Sequence, residues 1–535
     1  MKPETACLPS ASTDVIILVM ISDGVVASTR KFLRKWGLEA GFLLLISFII
    51  AYQVFVNGIG LSDNGDFKRL TDAVGISTTN NPVGNTPMVK FLCTYRYWGT
   101  AKPKFIGYPS SELLFMWPAT LGSLIIHGHG IFDSYILALL HAFILLLAFI
   151  VLAFAAKRLL SWPARAVLYC MCLLVFGDVA YLSYLNAMYS EAAALTSLLL
   201  MTSTSLYVVS RANDPRPLKK GWFYLLAISA VVCITAKSQY VVIGFPIAAL
   251  AYILQSRSPL SRQPAIQALM VILTATILYI PVFTIYTKHH IRICNLYDAV
   301  FNDLLRYSND PPRDLKELGL DPKYSIYAGT LAYDSRGSSI LEQSIPKSFG
   351  YAPILRFYAH HPVRFIGLLD RGARASYSLR PHYLGNFGPR SYTKFGKEDD
   401  IGRIVYENIT HGNSTLWLPQ RYMSQTFNAW SNIRQRIPHS SLLMLAFWIT
   451  GVITACRIRY DRRQSQSVRL VAAVNLTLLA MAALEFFCTL LGEGDADLVK
   501  HLFLFSMLID LCLVFLVMYA TAALFNRIIN KQIAS

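Results

Sequence analysis

The residues best able to do chemistry in this chain stand at the ends of its apolar runs. LSDNGDFKRL, Leu61–Leu70, gathers Asp63, Asp66, Lys68 and Arg69 just where the first long apolar run stops. A carboxylate held there could take a proton from a membrane-borne hydroxyl, and a neighbouring cation could pair with an anion. NAMYSE, Asn186–Glu191, offers Tyr189 and Glu191 at the mouth of a later run, and AKSQ, Ala236–Gln239, sets Lys237 between two short ones. GEGDADLVKH, Gly492–His501, places Asp495 and Asp497 ahead of Lys500 and His501 at the entrance to the last run.

Each stretch also has a plainer reading. Ser62, Asp63 or Asn64 could cap a helix beginning near Phe67, since short polar side chains accept the unpaired first-turn amides. A calcium loop is excluded, because Gly65 and Val74 occupy positions where that loop needs oxygen ligands. Glu191 could be a boundary residue reaching water. Asp178 and Glu485 lie inside apolar runs, where a charge is costly, so each implies internal pairing or function. A helix starting near Asp497 would aim its amides at an anion and carry Lys500 and His501 in its first turn, which suits a phosphate; the alternative is an acidic cap followed by an interfacial lysine. Lys237 and Arg69 are further candidates for phosphate pairing.

The elements that must position these groups are membrane helices. Apolar residues make up 54% of the chain and charged ones only 15%, so the class is an integral membrane protein. Runs of spanning length or slightly less are Leu38–Val56, Ile131–Ala156, Ala166–Leu185, Ala192–Val209, Trp222–Ala236, Tyr240–Leu254, Ile266–Tyr286, Leu442–Cys456, Val471–Leu491 and Leu502–Phe525, about ten spans. Arg30, Lys31, Arg34 and Lys35 put the N-terminus in the cytoplasm, and all later cytoplasmic connections are basic if Leu113–His127 does not cross. Glu112–His127, with Pro118 inside it, is therefore read as an external helix lying on or dipping into the bilayer. The four charged stretches then share one non-cytoplasmic face, and both termini are cytoplasmic.

The predicted organisation is a cytoplasmic segment 1–37, a transmembrane core 38–286 with a first external loop 57–130, a mainly helical external domain 287–440, C-terminal transmembrane helices 441–525 and a tail 526–535. The external domain interleaves Arg371, Arg374, Arg380 and Arg390 with Tyr377, His382, Tyr383 and Phe387, a mixture suited to sugars and anions or to lipid headgroups. The net charge of +18 falls in short clusters between apolar runs, which argues against nucleic acid as a partner. The cysteines form no CxxC pair, and six lie within apolar runs; Cys93 and Cys294 are the two that could pair externally. Residues 1–29 lack the basic start and cleavage site of a signal peptide and read as a cytoplasmic or misassigned extension. No internal repeat is visible.

The order of parts resembles the GT-C superfamily of membrane glycosyltransferases, which use polyprenyl-phosphate sugars: one span, an external acidic motif with a membrane-lying helix, many spans, then a late external domain. The strings NGDFKR, YLNAMYSE and DADLVKHLFLF further resemble the bacterial glycan-biosynthesis hexose transferases of the WsfD kind. The resemblance implies transfer of a hexose from a polyprenyl-phosphate donor to a cell-surface or lipid-linked glycan in a bacterial cytoplasmic membrane. It makes Asp66, or Asp63, the catalytic base, and an inverting displacement needing no metal, although the acids could hold a divalent cation. Lys237, Lys500, His501 and Arg69 are chosen by position for the donor phosphate; Tyr189, Glu191, Asp495, Asp497, Arg380 and Tyr383 are candidates for sugar or acceptor. The family's central string reads closer to NSFY before its acid, and Ala187 and Met188 depart from it. A flippase for lipid-linked sugars is the alternative from another class.

Overall fold

The computed structural model describes residues 35–61, 66–76, 96–98, 108–128, 131–214, 218–255, 259–286, 289–381, 384 and 426–534. Asp63, Tyr383, His382, Phe387, Arg390 and Cys93 lie outside them.

The chain is an all-α polytopic membrane protein. Among the described residues, seven helices are long and apolar enough to cross a bilayer: α1 (Lys35–Val56), α4 (Ser134–Leu159), α7 (Glu191–Ser210), α10 (Pro259–Tyr286, apolar over Arg262–Val282), α17 (Ser441–Tyr460), α18 (Gln466–Glu493) and α20 (Phe503–Ala534, apolar to Leu524). The pair α5 (Trp162–Phe176) and α6 (Val179–Leu182, prolonged to Asn186 by a 3-10 turn), bent by 56°, supplies an eighth. The remaining two expected spans are shorter: α8 (Gly221–Ile234) and α9 (Gly244–Gln255), joined through Lys237 and a 3-10 turn, Ser238–Ile243.

At the centre is α7, with 94% of its apolar window buried, against 11% for the peripheral α17. The sequence explains the difference. Ala192, Ala193, Ala194, Ser197 and Ser205 let neighbouring backbones approach closely, and the hydroxyls return to the helix's own carbonyls, Ser205 donating to Met201 at 2.9 Å.

The bend between α5 and α6 has a local cause. Asp178 is extended (φ −68°, ψ 138°) and its carboxylate accepts the Ala180 N–H at 2.8 Å, so it caps a new helix in the middle of the span. The second oxygen accepts the Ser431 N–H at 2.9 Å, from α16 (Ala429–Arg436). Of the two meanings open for this interior acid, the geometry selects pairing.

The short helix α2 (Phe67–Val74) buries Phe67 and Leu70 and ends on Gly75, whose φ of 76° suits glycine. The apolar run after it, α3 (Leu113–His127), does not cross the bundle. Its N-terminal neighbour Glu112 lies 3.1 Å from His141, and His127 at its other end lies 2.8 Å from Asp133, the cap of α4. His141 and Asp133 are eight positions apart on one helix end, about 12 Å of rise, whereas fifteen residues of α3 span about 22 Å. The helix is therefore oblique, with both ends on one side of the bundle. A two-stranded antiparallel ribbon, β1 (Arg96–Trp98) with β2 (Ile131–Asp133), leads into α4.

Residues 289–375 fold into α11 (His289–Tyr297), a π-helical turn (Asp298–Leu304), α12 (Pro311–Leu318), α13 (Ser335–Ser344), α14 (Tyr351–His360) and α15 (Pro362–Ala375). They pack on the Gly492–Asp497 segment. Gly494 has φ +62°, and a Cβ there would lie 2.5 Å from the Cβ of Asp303. Glycine thus lets the segment lie flat against the π-helical turn.

Deeper in the bundle, Asp510 of α20 accepts Tyr181 Oη and Trp430 Nε1, each at 2.7 Å, and pairs with Arg434 of α16, both charges being nearly fully buried. Removing one partner of such a pair leaves an uncompensated charge. Asp510→Ala is expected to cost about 3 kcal/mol, read as a fall in the thermal unfolding temperature of the detergent-solubilised protein; an unchanged temperature would mean that Arg434 is satisfied without it.

Candidate active site

The four charged stretches converge. Asp66 lies at the start of α2, 3.0 Å from Arg69 Nη2, and its other oxygen accepts Lys500 Nζ. Lys237, between α8 and the 3-10 turn, donates to Glu191 at 3.0 Å and to Nδ1 of His501 at 3.4 Å. His501 Nε2 then meets Glu493 at 2.6 Å. Nδ1 also faces Gln239 Oε1 at 3.3 Å, so the imidazole is held between lysine, amide and carboxylate. Gln239 completes the floor, donating to the His501 carbonyl at 2.8 Å and to Glu485 at 2.7 Å. Glu485, the other interior acid, is thereby also joined to the cluster.

Burial divides the cluster into a floor and a face. Lys500, Glu191 and Lys237 are 1%, 2% and 8% exposed in their side chains, whereas Arg69, Asp66 and Glu493 keep 30%, 23% and 22%. A ligand entering from outside meets Arg69, Asp66, Glu493 and the edge of His501 first, with Lys500 and Lys237 beneath them. Lys500 also sits 4.9 Å above the ring of Tyr189, which packs edge-on against Phe67 at 4.6 Å. Tyr189 is thus a buried wall under the acid.

The electrostatics follow from this geometry. Burial opposes ionisation of Asp66, but Arg69, Lys500 and Lys237 outweigh it and hold the carboxyl well below the usual carboxylate range. Asp66 in turn holds the Arg69 guanidinium charged. Burial would discharge Lys237, yet Glu191 and Glu493 keep its ammonium above the ordinary lysine value. Arg69, Lys237 and Lys500 match Asp66, Glu191 and Glu493 in formal charge. An incoming phosphate would break that match, and Asp66 is the carboxylate that shares its cations.

Other expected residues sit elsewhere. The helix anticipated near Asp497 is only one turn, α19 (Leu498–His501), broken from α20 at Leu502, and Asp497 itself is left-handed with φ +46°. Lys500 and His501 therefore enter the site through their side chains. Asp495 accepts Tyr307 Oη at 2.7 Å and lies 3.7 Å from Arg371, so it ties the external helices down. Arg380 lies beside Asp178 and Tyr184; burial lowers it to about 10, and its Nη1 meets no hydrogen-bond acceptor among the described residues.

Sequence reasoning passed over Glu493, Gln239 and Tyr108 as site residues. The first two lie inside quoted stretches, a few residues from groups that were chosen. Tyr108, whose ring lies 5.8 Å from the Arg69 guanidinium, had no local signal.

An ionic cluster built from the ends of α2, α7, α8 and α18 and from α19, in a bundle of membrane helices, defines a polytopic membrane protein with a charged site on one face. The chain belongs to the family described as YfdI N-terminal transmembrane domain, whose model matches residues 28–413 and 413–534. No curated protein matches it. Among solved structures it is similar to the Archaeoglobus fulgidus oligosaccharyltransferase tethered with an acceptor peptide containing the NVT sequon, at 13% identity and a TM-score of 0.38. That match covers 92% of this chain and 51% of the other, so the chain spans about half the length of the protein it matches.

Replacing Lys500 by glutamine removes one of the cations that hold Asp66 ionised, and its carboxyl should move up toward the ordinary value near 3.9. Carbodiimide reacts through the protonated carboxyl. At about pH 4 the Asp66 peptide should therefore label more in the variant than in the native protein; equal labelling would show that Lys500 does not hold the acid ionised.

Proposed function

We propose that this protein is a membrane glycosyltransferase that moves a hexose from a polyprenyl-phosphate donor to a hydroxyl of a cell-surface or lipid-linked glycan, at the non-cytoplasmic face of a bacterial cytoplasmic membrane. One observation carries the reading: an accessible carboxylate, Asp66, is held among Arg69, Lys500 and Lys237 where membrane helices end. A lipid phosphate lies at the headgroup level, so its sugar is presented at this height.

In this reaction the acceptor oxygen attacks the anomeric carbon, and the bond from that carbon to the phosphate oxygen breaks with its electron pair going to the phosphate. The acceptor proton goes to Asp66. The leaving phosphate keeps the charge and needs no acid to protonate it. A single displacement inverts the anomeric centre, and no metal enters the scheme.

Asp66 as it stands is a weak base, because its cations hold it ionised. The donor changes that. A phosphate drawing on Arg69, Lys500 or Lys237 weakens their grip on the carboxylate and adds a negative charge nearby, and both effects raise its affinity for a proton. The base is thus strengthened when the leaving group is in place. Glu191 and Glu493 keep Lys237 from straying in the empty site.

The test is transfer by purified protein from defined polyprenyl-phosphate hexoses to candidate glycan acceptors. Asp66→Asn should lower kcat by about 10² to 10⁴ while leaving donor affinity near wild type. Arg69→Gln should act mainly on the donor KM. Transfer by Asp66→Asn at the wild-type rate removes the base assignment. Movement of lipid-linked sugar across vesicle bilayers without any transfer would instead establish a flippase.

A further inference from the structure

The buried ion pair Lys237–Glu191 joins two helix ends that do not follow one another in the chain, and something must keep them in register. The segment from Tyr108 to Glu112 lies across both. Ser110 Oγ donates to the Ala236 carbonyl at 2.6 Å, Ser111 Oγ to the Val232 carbonyl at 2.6 Å, and the Ser111 N–H to the Thr235 carbonyl at 3.0 Å. Those carbonyls form the end of α8, immediately before Lys237. Two residues on, Glu112 Oε2 accepts the Ala193 N–H at 3.0 Å, in the first turn of α7, immediately after Glu191. Ser110 also reaches Ser190 Oγ at 3.5 Å.

A second contact secures the other side of NAMYSE. His141 Nδ1 donates to the Leu185 carbonyl at 3.1 Å, and its Nε2 faces Glu112 Oε1 at 3.1 Å. Glu112 and His141 are both fully buried, and neither of these two facing atoms has another hydrogen-bond partner among the described residues. A buried carboxylate at the foot of an apolar helix is costly. It is held where it can grip both Ala193 and His141. Upstream, Tyr108 underlies Arg69, and Tyr279 Oη fixes the strap by donating to the Pro109 carbonyl at 2.6 Å.

We propose that Tyr108–Glu112 is a positioning strap that sets Lys237 against Glu191 beneath the site, with Glu112 as its anchor and His141 as the anchor's partner. None of these residues touches the reacting atoms; they act by fixing the cation beneath the donor phosphate. The proposal rests on the reading of Lys237 as a donor-binding cation.

Two measurements on the full chain test it. The first is amine labelling of Lys237 by a small water-soluble acylating reagent, read by peptide mass spectrometry beside the thermal unfolding temperature. Native Lys237 should be protected. Glu112→Ala should expose it to labelling, and so should the milder Ser110→Ala/Ser111→Ala pair should Glu112→Ala fail to fold. Glu112→Gln keeps an oxygen for the Ala193 N–H and an amide for His141 Nε2, and should restore protection.

The second measurement is the kinetic split. Glu112→Ala should lower kcat/KM for the donor by roughly a hundredfold, the scale of an ångström of misplacement, through a raised donor KM with the acceptor KM unchanged. A loss of folded protein alone would lower kcat and leave both KM values as they were. Protection of Lys237 in both the alanine and the serine variants, at an unchanged unfolding temperature, would overturn the strap. A dead Glu112→Gln enzyme with Lys237 still protected would also overturn it, making Glu112 a proton carrier. Because labelling needs no turnover, it decides the strap even if the protein transfers no sugar.

Discussion

A charge taken out of water beside a lipid bilayer must find its partner within the protein, and this constraint shapes the whole site. Lys237 and Lys500 are almost entirely buried, and each meets a carboxylate from another part of the chain. The ion pairs therefore behave as stitches between helix ends. Asp66–Lys500 ties the start of α2 to α19, Lys237–Glu191 ties the α8–α9 turn to the central helix, and His501–Glu493 closes the circuit. Because each stitch is also an element of the site, the site cannot be loosened without loosening the bundle's upper rim.

The same constraint explains the polar groups below the rim. Asp178 and Asp510 stand inside apolar helices, yet their oxygens are taken up by backbone amides, Ser431, Trp430, Tyr181 and Arg434. Both gather around α16, which follows the external segment and packs its polar residues inward. Interior acids here bend a span and anchor a helix. Charge placed in the rim keeps partial access to water and can meet a ligand, whereas Asp178 and Asp510 have both oxygens taken up within the protein.

Clamping and catalysis are compatible in this arrangement. A carboxylate locked between cations is inert in the empty site, which protects a base that faces water. In the proposed reaction, donor phosphate would draw on the cations that lock it. The floor of Lys237, Lys500 and Gln239 and the face of Arg69, Asp66 and Glu493 are what make such a redistribution local: the buried cations move little and the exposed groups respond.

By itself the sequence determined the class of the molecule, since apolar runs of spanning length have no other stable home, and it marked LSDNGDFKRL, NAMYSE, AKSQ and GEGDADLVKH as charged ends of those runs. The charge bias of the loops set Leu113–His127 apart from the spanning runs, and the structure makes it a fifteen-residue helix. Pairing was beyond the sequence. Asp66 and Lys500 are 434 positions apart, and nothing in local spacing says which lysine meets which acid. Whether Asp178 and Glu485 were functional or structural, and whether Lys500 stood on a long helix or on one broken turn, depended on what packs against them. Hydrophobicity and loop charge act residue by residue and can be read along the chain. Ion pairing and strap contacts are decided by which helix ends become neighbours, and only the tertiary structure sets that.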